Sequence, residues 1–197
     1  MTEVTGKGQL RRGATGWRRT GRETGPWRWL RDAGSLTARL RAGCPGPFRV
    51  RVVHHSLARP QSDEAALLGL RRAEQALVRE VVLTTGGVPR VFARSVVPLR
   101  TLRRMGHLGR IGCRPLGAKL FADGSLRRRL VQCTRLRRGH PLRVRATASV
   151  AMRGEAPLWG RRTLFEFRGW PLLVNELFLP AIGECRPPGL GSRGRRR

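Results

Sequence analysis

Two stretches constrain the fold more than anything else in the chain. AEQALVREVVLTTGGVPRVFARSVVPL, residues 73–99, sets two apolar runs around Thr85-Gly86-Gly87. LWGRRTLFEFRGWPLLVNELFLP, residues 158–180, does the same around Arg168-Gly169. A tight turn that needs positive φ, flanked by β-branched and aromatic residues, predicts a β-hairpin. Strands joined by so short a turn run antiparallel. The alternating PFRVRVVHHSL and the segments LRRRLVQCTRL and PLRVRATASVAM read as further strands or edge segments. PWRWLRDAGSLTARLRAG predicts a helix interrupted near Gly34-Ser35 and restarted with Ser35 as cap. RPQSDEAALLGL reads as a turn with a short helical piece, and RTLRRMGHLGRIGCRPLGAKLF as helix broken by glycines and Pro115. Hairpins outnumber helices, so the expected class is α+β: a single domain with a mostly antiparallel sheet flanked by helices. The expected boundaries are a disordered basic tail over 1–25, a folded domain over 26–183, and a second disordered basic tail over 184–197.

Three charged residues sit inside runs that should be greasy: Arg79 in ALVREVVL, Arg94 in VFARSVVPL and Glu176 in LLVNELFLP. Alternate residues of a strand share a face, so Arg79 goes with Leu77 and Val81, Arg94 with Phe92 and Val96, and Glu176 with Val174 and Phe178. An isolated buried charge is costly, and these residues need partners or a charged ligand. One reading is a structural salt bridge between Glu176 and one of the two arginines; another is a solvated sheet face. The third is a pocket: two guanidinium forks suit a small organic dicarboxylate, and a glutamate on an apolar face can act as acid or base.

The remaining features exclude more than they suggest. The net charge is +29, from 41 basic and 12 acidic residues. Nearly all the cations are arginine, with Lys7 and Lys119 the only lysines, and they are spread along the whole chain. With no tyrosine and no aromatic stacking motif, a specific nucleic-acid function is not expected, although weak salt-sensitive binding is. The runs of three arginines at 127–129 and 195–197 read as solvated. No Cys-x-x-Cys or His-Glu-x-x-His is present, and His54 and His55 alternate across a strand, so no metal site is expected. No stretch approaches the ~20 apolar residues of a membrane helix. The start, MTEVTGKGQL, lacks a signal-peptide core. The expectation is therefore a cytoplasmic monomer with no membrane span, whose Cys44, Cys113, Cys133 and Cys185 are reduced thiols.

VREVVLTTGGVPRVFARSVVPL, RPLGAKLF and LWGRRTLFEFRGWPLLVNELFLP, with a weaker match at WLRDAGSLTARL, resemble the chorismate lyase family, in the family's order and over roughly residues 29 to 182. The last stretch is the most specific. The resemblance implies a ligand enclosed between an antiparallel sheet and helical flaps. It implies conversion of chorismate to 4-hydroxybenzoate and pyruvate, with no metal or organic cofactor, as a first step towards ubiquinone. By the same resemblance Arg79 binds the ring carboxylate, Leu36 and Leu116 contact the ligand, Arg94 is a second active-site arginine and Glu176 lies near the hydroxyl end of the ring. Residues 122–157 look longer than in compact versions of the family and are expected as a hairpin extension or a loop. Two other classes compete. The effector domain of GntR-type regulators shares the fold, but a helix-turn-helix domain should precede it, and here only about 25 low-complexity residues precede the matched region. A basic binding protein with a lapsed site is the other.

Overall fold

The structure, a computed structural model, describes residues 26–105, 124–154 and 156–187. The elements run α1 (Trp27–Arg31), α2 (Leu36–Gly43), β1 (Phe48–Ala58), α3 (Ser62–Leu68), β2 (Ala76–Thr85), β3 (Val88–Pro98), α4 (Leu99–Met105), β4 (Leu126–Leu136), α5 (Pro141–Ser149), β5 (Leu158–Phe167) and β6 (Trp170–Phe178), closed by a 3-10 turn (Pro180–Glu184). All six strands form one antiparallel sheet in the order β1-β2-β3-β6-β5-β4.

Both predicted hairpins form, and their turns show why. Gly86 and Gly87 take φ of 57° and 80°; Arg168 and Gly169 take 49° and 84°. Two successive left-handed residues make a turn whose twist matches that of the flanking strands. Gly86 is further constrained, because Gly46 packs its backbone against it and a Cβ on Gly46 would meet Gly86 Cα at 2.5 Å. The β3–β6 pairing joins the two hairpins into one sheet, with Ala93 opposite Glu176 and Arg94 opposite Asn175.

Helices cover both faces of this sheet. On one, Trp29 and Leu30 of α1, Leu36 and Leu40 of α2, and Ile182 pack on Val81, Leu83, Ala93 and Phe178, while Met105 of α4 packs on Val97, Phe165 and Leu172. On the other, Ala65 and Leu68 of α3 pack on Ala76, Val96 and Leu173, and Leu142 and Ala146 of α5 on Val82, Phe92, Leu158 and Leu177. The architecture is thus a single α+β domain with the sheet between helical layers. Burial at this scale is the main stabilising term.

Four local expectations need correction. The segment PLRVRATASVAM is helix α5, not a strand: Pro141 starts it, His140 caps it, and Leu142, Ala146 and Val150 fall on one side at a spacing of four. Residues 122–157 are likewise not an appendage, because they hold β4 and α5. The four cysteines are not all thiols. Cys44 at the end of α2 is bonded to Cys185, 141 residues later, while Cys133 is free and buried; Cys113 lies outside the described residues. Finally, the chain stays attached beyond the expected boundary at 183: Arg186 N–H donates to Gly43 C=O at 2.7 Å, and buried Arg90 pairs with Glu184 at 2.7 Å. No described helix is long and apolar enough to cross a membrane.

Candidate functional site

Register decides which charged residues meet. Val81, Ala93, Glu176, Arg161 and Cys133 form one row across β2-β3-β6-β5-β4, on the face covered by α1 and α2. Glu80, Arg94, Asn175, Arg162 and Gln132 form the next row, which points to the opposite face.

Glu176 is therefore answered by Arg161, at neither of the positions expected from sequence. Arg161 Nε donates to Glu176 Oε2 at 2.6 Å, and both groups are buried. Arg161 Nη1 donates to the backbone carbonyls of Asp32 at 2.7 Å and Trp29 at 3.0 Å, with a long contact to Leu30 at 3.5 Å. Burial opposes the charge on Arg161, but Glu176 beside it, with Asp32 and Cys133 further off, outweighs that penalty and raises its pKa. The guanidinium also sits 5.8 Å from the centre of the Phe178 ring. One arginine thus fixes the carboxylate and ties the α1–α2 connection down over it.

Arg79 lies one row away on this same face, between His55 of β1 and Ser95 of β3, and is buried. Burial, then the positive charge of Arg79, then His54, push the pKa of His55 down. Two strand spacings and two residues along the chain put the Cα atoms of Arg79 and Glu176 about 12 Å apart. Between them β3 presents only Ala93 and Ser95, both small and buried. Arg79 and Glu176 thus share this face with only small side chains on the strand between them. Leu36, buried at the first position of α2, belongs to the cover of this face, and Ser35 caps that helix by accepting from Ala38 N–H at 3.4 Å. Leu116 lies outside the described residues.

Arg94 is not brought to this site. On the opposite face its Nε and Nη2 fork onto Glu64 of α3, both at 2.9 Å, and its Nη1 donates to Glu80 at 2.6 Å. Asn175 Nδ2 and the Gln61 N–H also donate to Glu64, each at 2.9 Å. All three charged side chains are almost fully buried. Burial works against the Arg94 charge, and the two carboxylates more than offset it, raising its pKa. The cluster fastens α3 to the sheet, and it satisfies Arg94 without any ligand.

Two residues were missed in the sequence. Arg161 was findable: counting back from the Arg168-Gly169 turn pairs position 161 with 176. Arg128 of β4 was read as part of a solvated run. Its guanidinium instead lies 5.5 Å from the centre of the Phe165 ring and is half-buried on the Glu176 side of the sheet. Among the described residues, no group of three or more His, Cys, Asp or Glu side chains comes together to hold a metal.

This architecture is an α+β fold that recurs in solved domains of distant sequence. The effector domain of PhnF from Mycobacterium smegmatis matches with a TM-score of 0.57 at 18% identity, over 75% of this chain and 89% of that one. The C-terminal domain of the histidine utilization repressor from Pseudomonas syringae matches with 0.54 at 10% identity, over 76% and 100%. At such identities the likeness is one of fold alone. Sequence similarity is more specific, and by it the chain belongs to the chorismate lyase family, whose profile matches residues 25–184. A protein of Aromatoleum aromaticum named probable chorismate pyruvate-lyase is 51% identical over 158 residues, 79% of this chain and 85% of its own length. Proteins of the same name from an Azoarcus species and Methylococcus capsulatus are 49% and 43% identical, over 78% of this chain and 83% and 94% of their own lengths.

Proposed function

We propose that the protein is a chorismate pyruvate-lyase, producing 4-hydroxybenzoate and pyruvate at the entry to ubiquinone synthesis. The observation that carries this reading is the placement of Arg79 and the Glu176–Arg161 pair on one face, separated by Ala93 and Ser95. In this reading the ring carboxylate of chorismate takes the Arg79 fork and the ring hydroxyl donates to Glu176. Leu36 contacts the ring from the cover, and Leu116 is a further proposed ligand contact.

The chemistry asks little of the protein. The C4–H bonding pair becomes the last double bond of the aromatic ring, and the C3–O bond breaks with its pair on oxygen. The C4 proton ends on the departing three-carbon unit, which is released as pyruvate. Atoms balance between substrate and the two products. Aromatisation supplies the driving force, so no step needs a metal or an organic cofactor. The residues contribute orientation and electrostatics: Arg79 and Glu176 fix the two ends of the ring, and Arg161 holds Glu176 rigidly within a covered site, where such interactions are strengthened. The proposed setting is a cytoplasmic monomer without specific nucleic-acid partners.

The test is turnover of chorismate by EDTA-treated protein, with 4-hydroxybenzoate and pyruvate measured separately. Equal amounts of both are expected, unchanged by EDTA. Glu176→Gln should lower kcat by on the order of 10²-fold while the protein stays folded. Folded wild-type protein without turnover overturns the reading.

A further inference from the structure

Chorismate has a second carboxylate, on the enolpyruvyl ether at C3, and the residue expected to bind it, Arg94, is committed to Glu64 and Glu80 on the wrong face. C3 neighbours the carbon bearing the hydroxyl. If the ring lies between Arg79 and Glu176, the enolpyruvyl group therefore projects beside Glu176, away from Arg79. A cation on that side, on the α1/α2 face, is what the chemistry needs.

Of the strand arginines on that side other than Arg79, Arg161 is saturated by Glu176 and backbone carbonyls. Arg135 is exposed and lines a separate cleft with Arg137, Arg138 and Pro157. Arg129, next along β4 at the irregularity in register, turns to the opposite face and pairs with Glu166 at 3.1 Å. Arg128 differs from all three. Its register opposite Phe165 sets it on the correct face, its guanidinium lies over the Phe165 ring, and no described carboxylate forms a salt bridge with it. The nearest acids are already neutralised, Glu176 by Arg161 and Asp32 by Arg39 at 3.3 Å.

We infer that Arg128 binds the enolpyruvyl carboxylate of the substrate, and so distinguishes the dicarboxylate substrate from the monocarboxylate aromatic product. The inference rests on the lyase reading above. The electrostatics agree with it. Burial first, then repulsion from Arg161, lower the pKa of Arg128, and the attraction of Glu176 and Asp32 does not restore it. Arg128 is a half-desolvated cation short of negative charge, which an incoming carboxylate supplies. Loss of that carboxylate with pyruvate would also remove one of the ligand's two ionic holds and favour release of the aromatic product.

The experiment compares wild type, Arg128→Gln, Arg128→Lys, Arg79→Gln and, as a control on the same strand, exposed Arg127→Gln. Each is assayed for kcat/KM with chorismate and for Kd with 4-hydroxybenzoate by calorimetry. Arg128→Gln should lower kcat/KM on the order of 10- to 100-fold and leave the 4-hydroxybenzoate Kd within about twofold. Arg128→Lys should recover part of the loss, Arg79→Gln should weaken both ligands, and Arg127→Gln should change neither. Retained product binding shows that the glutamine variant is folded; should that variant unfold, the lysine variant decides, with a smaller but still chorismate-selective loss expected. The assignment is overturned if the folded variants turn over chorismate within about threefold of wild type, or weaken both ligands equally. A wild type that neither turns over chorismate nor binds the product overturns the lyase reading and this assignment with it, whereas an active wild type with an unaffected Arg128→Gln overturns the assignment alone.

Discussion

Replacing Arg94 with methionine separates the two roles this residue can have. In the structure its guanidinium makes three hydrogen bonds to two carboxylates, Glu64 and Glu80, and all three side chains are at most 4% exposed. Methionine fills much of the volume but leaves both carboxylates buried without their main counter-charge. Breaking a buried pair from one side costs about 3 to 5 kcal/mol. Glu64 keeps Asn175 and the Gln61 N–H, and Glu80 keeps a 3.4 Å contact to half-exposed Arg145, so the lower part of that range is expected. For a domain of this size, 3 kcal/mol lowers Tm by roughly 6 to 12 °C. The assay is a thermal melt beside chorismate turnover at 20 °C, normalised to folded protein. Arg94→Met should melt early yet keep kcat per folded molecule within a few fold. Combining it with Glu64→Gln should restore part of the loss, because one stranded charge is gone. A variant that melts with wild type but has lost kcat a hundredfold would refute this reasoning and return Arg94 to the substrate.

Three further outcomes follow from the structure. His140 Nδ1 caps α5 by accepting from Leu142 N–H at 3.2 Å, and burial is the main cause of its lowered pKa. A depressed histidine pKa leaves stability intact above the ordinary value of 6.5 and removes it as pH falls from there towards the folded value. The urea midpoint should therefore drop between pH 7.5 and 5.5, and His140→Asn should flatten that acid slope; an unchanged slope would dismiss His140 as its source. The Cys44–Cys185 bond predicts two fewer titratable thiols in the denatured chain before reduction than after, and a loss of about 2 to 4 kcal/mol on reduction. Burial pushes the Cys133 thiol up to about 11, so Cys133 in the native protein should resist alkylation at pH 8; rapid labelling there would contradict its placement.

What could be read from the sequence was what local chemistry decides. The hairpins were legible because two-residue turns declare themselves, and the Ser35 cap because a serine before LTARL has one good use. Helix α5 was not, since Leu142, Val144 and Ala146 fit an alternating pattern as well as the helical one, and Val144 is in fact exposed. The Glu176–Arg161 pair follows from counting back along one hairpin. The separation of Glu176 from Arg94 does not, because β3 and β6 come from different hairpins and a shift of one residue between them exchanges faces. Arg79 carried the same ambiguity as Arg94, and the register resolved the two in opposite directions. The disulfide spans 141 residues, and nothing near either cysteine announces the other. Charges inside apolar runs supplied Glu176 and Arg79 as candidates, and the family resemblance gave them roles; only the paired strands supplied Arg161 as the residue that holds Glu176 in place.

The most direct test of the account is a crystal structure of the protein with 4-hydroxybenzoate bound. The account predicts the ligand on the α1/α2 face over Ala93 and Ser95, with its carboxylate on Arg79 and its hydroxyl within hydrogen-bond distance of Glu176. Density beside Arg94 on the α3/α5 face, or a ring turned so that its carboxylate points at Glu176, would contradict it.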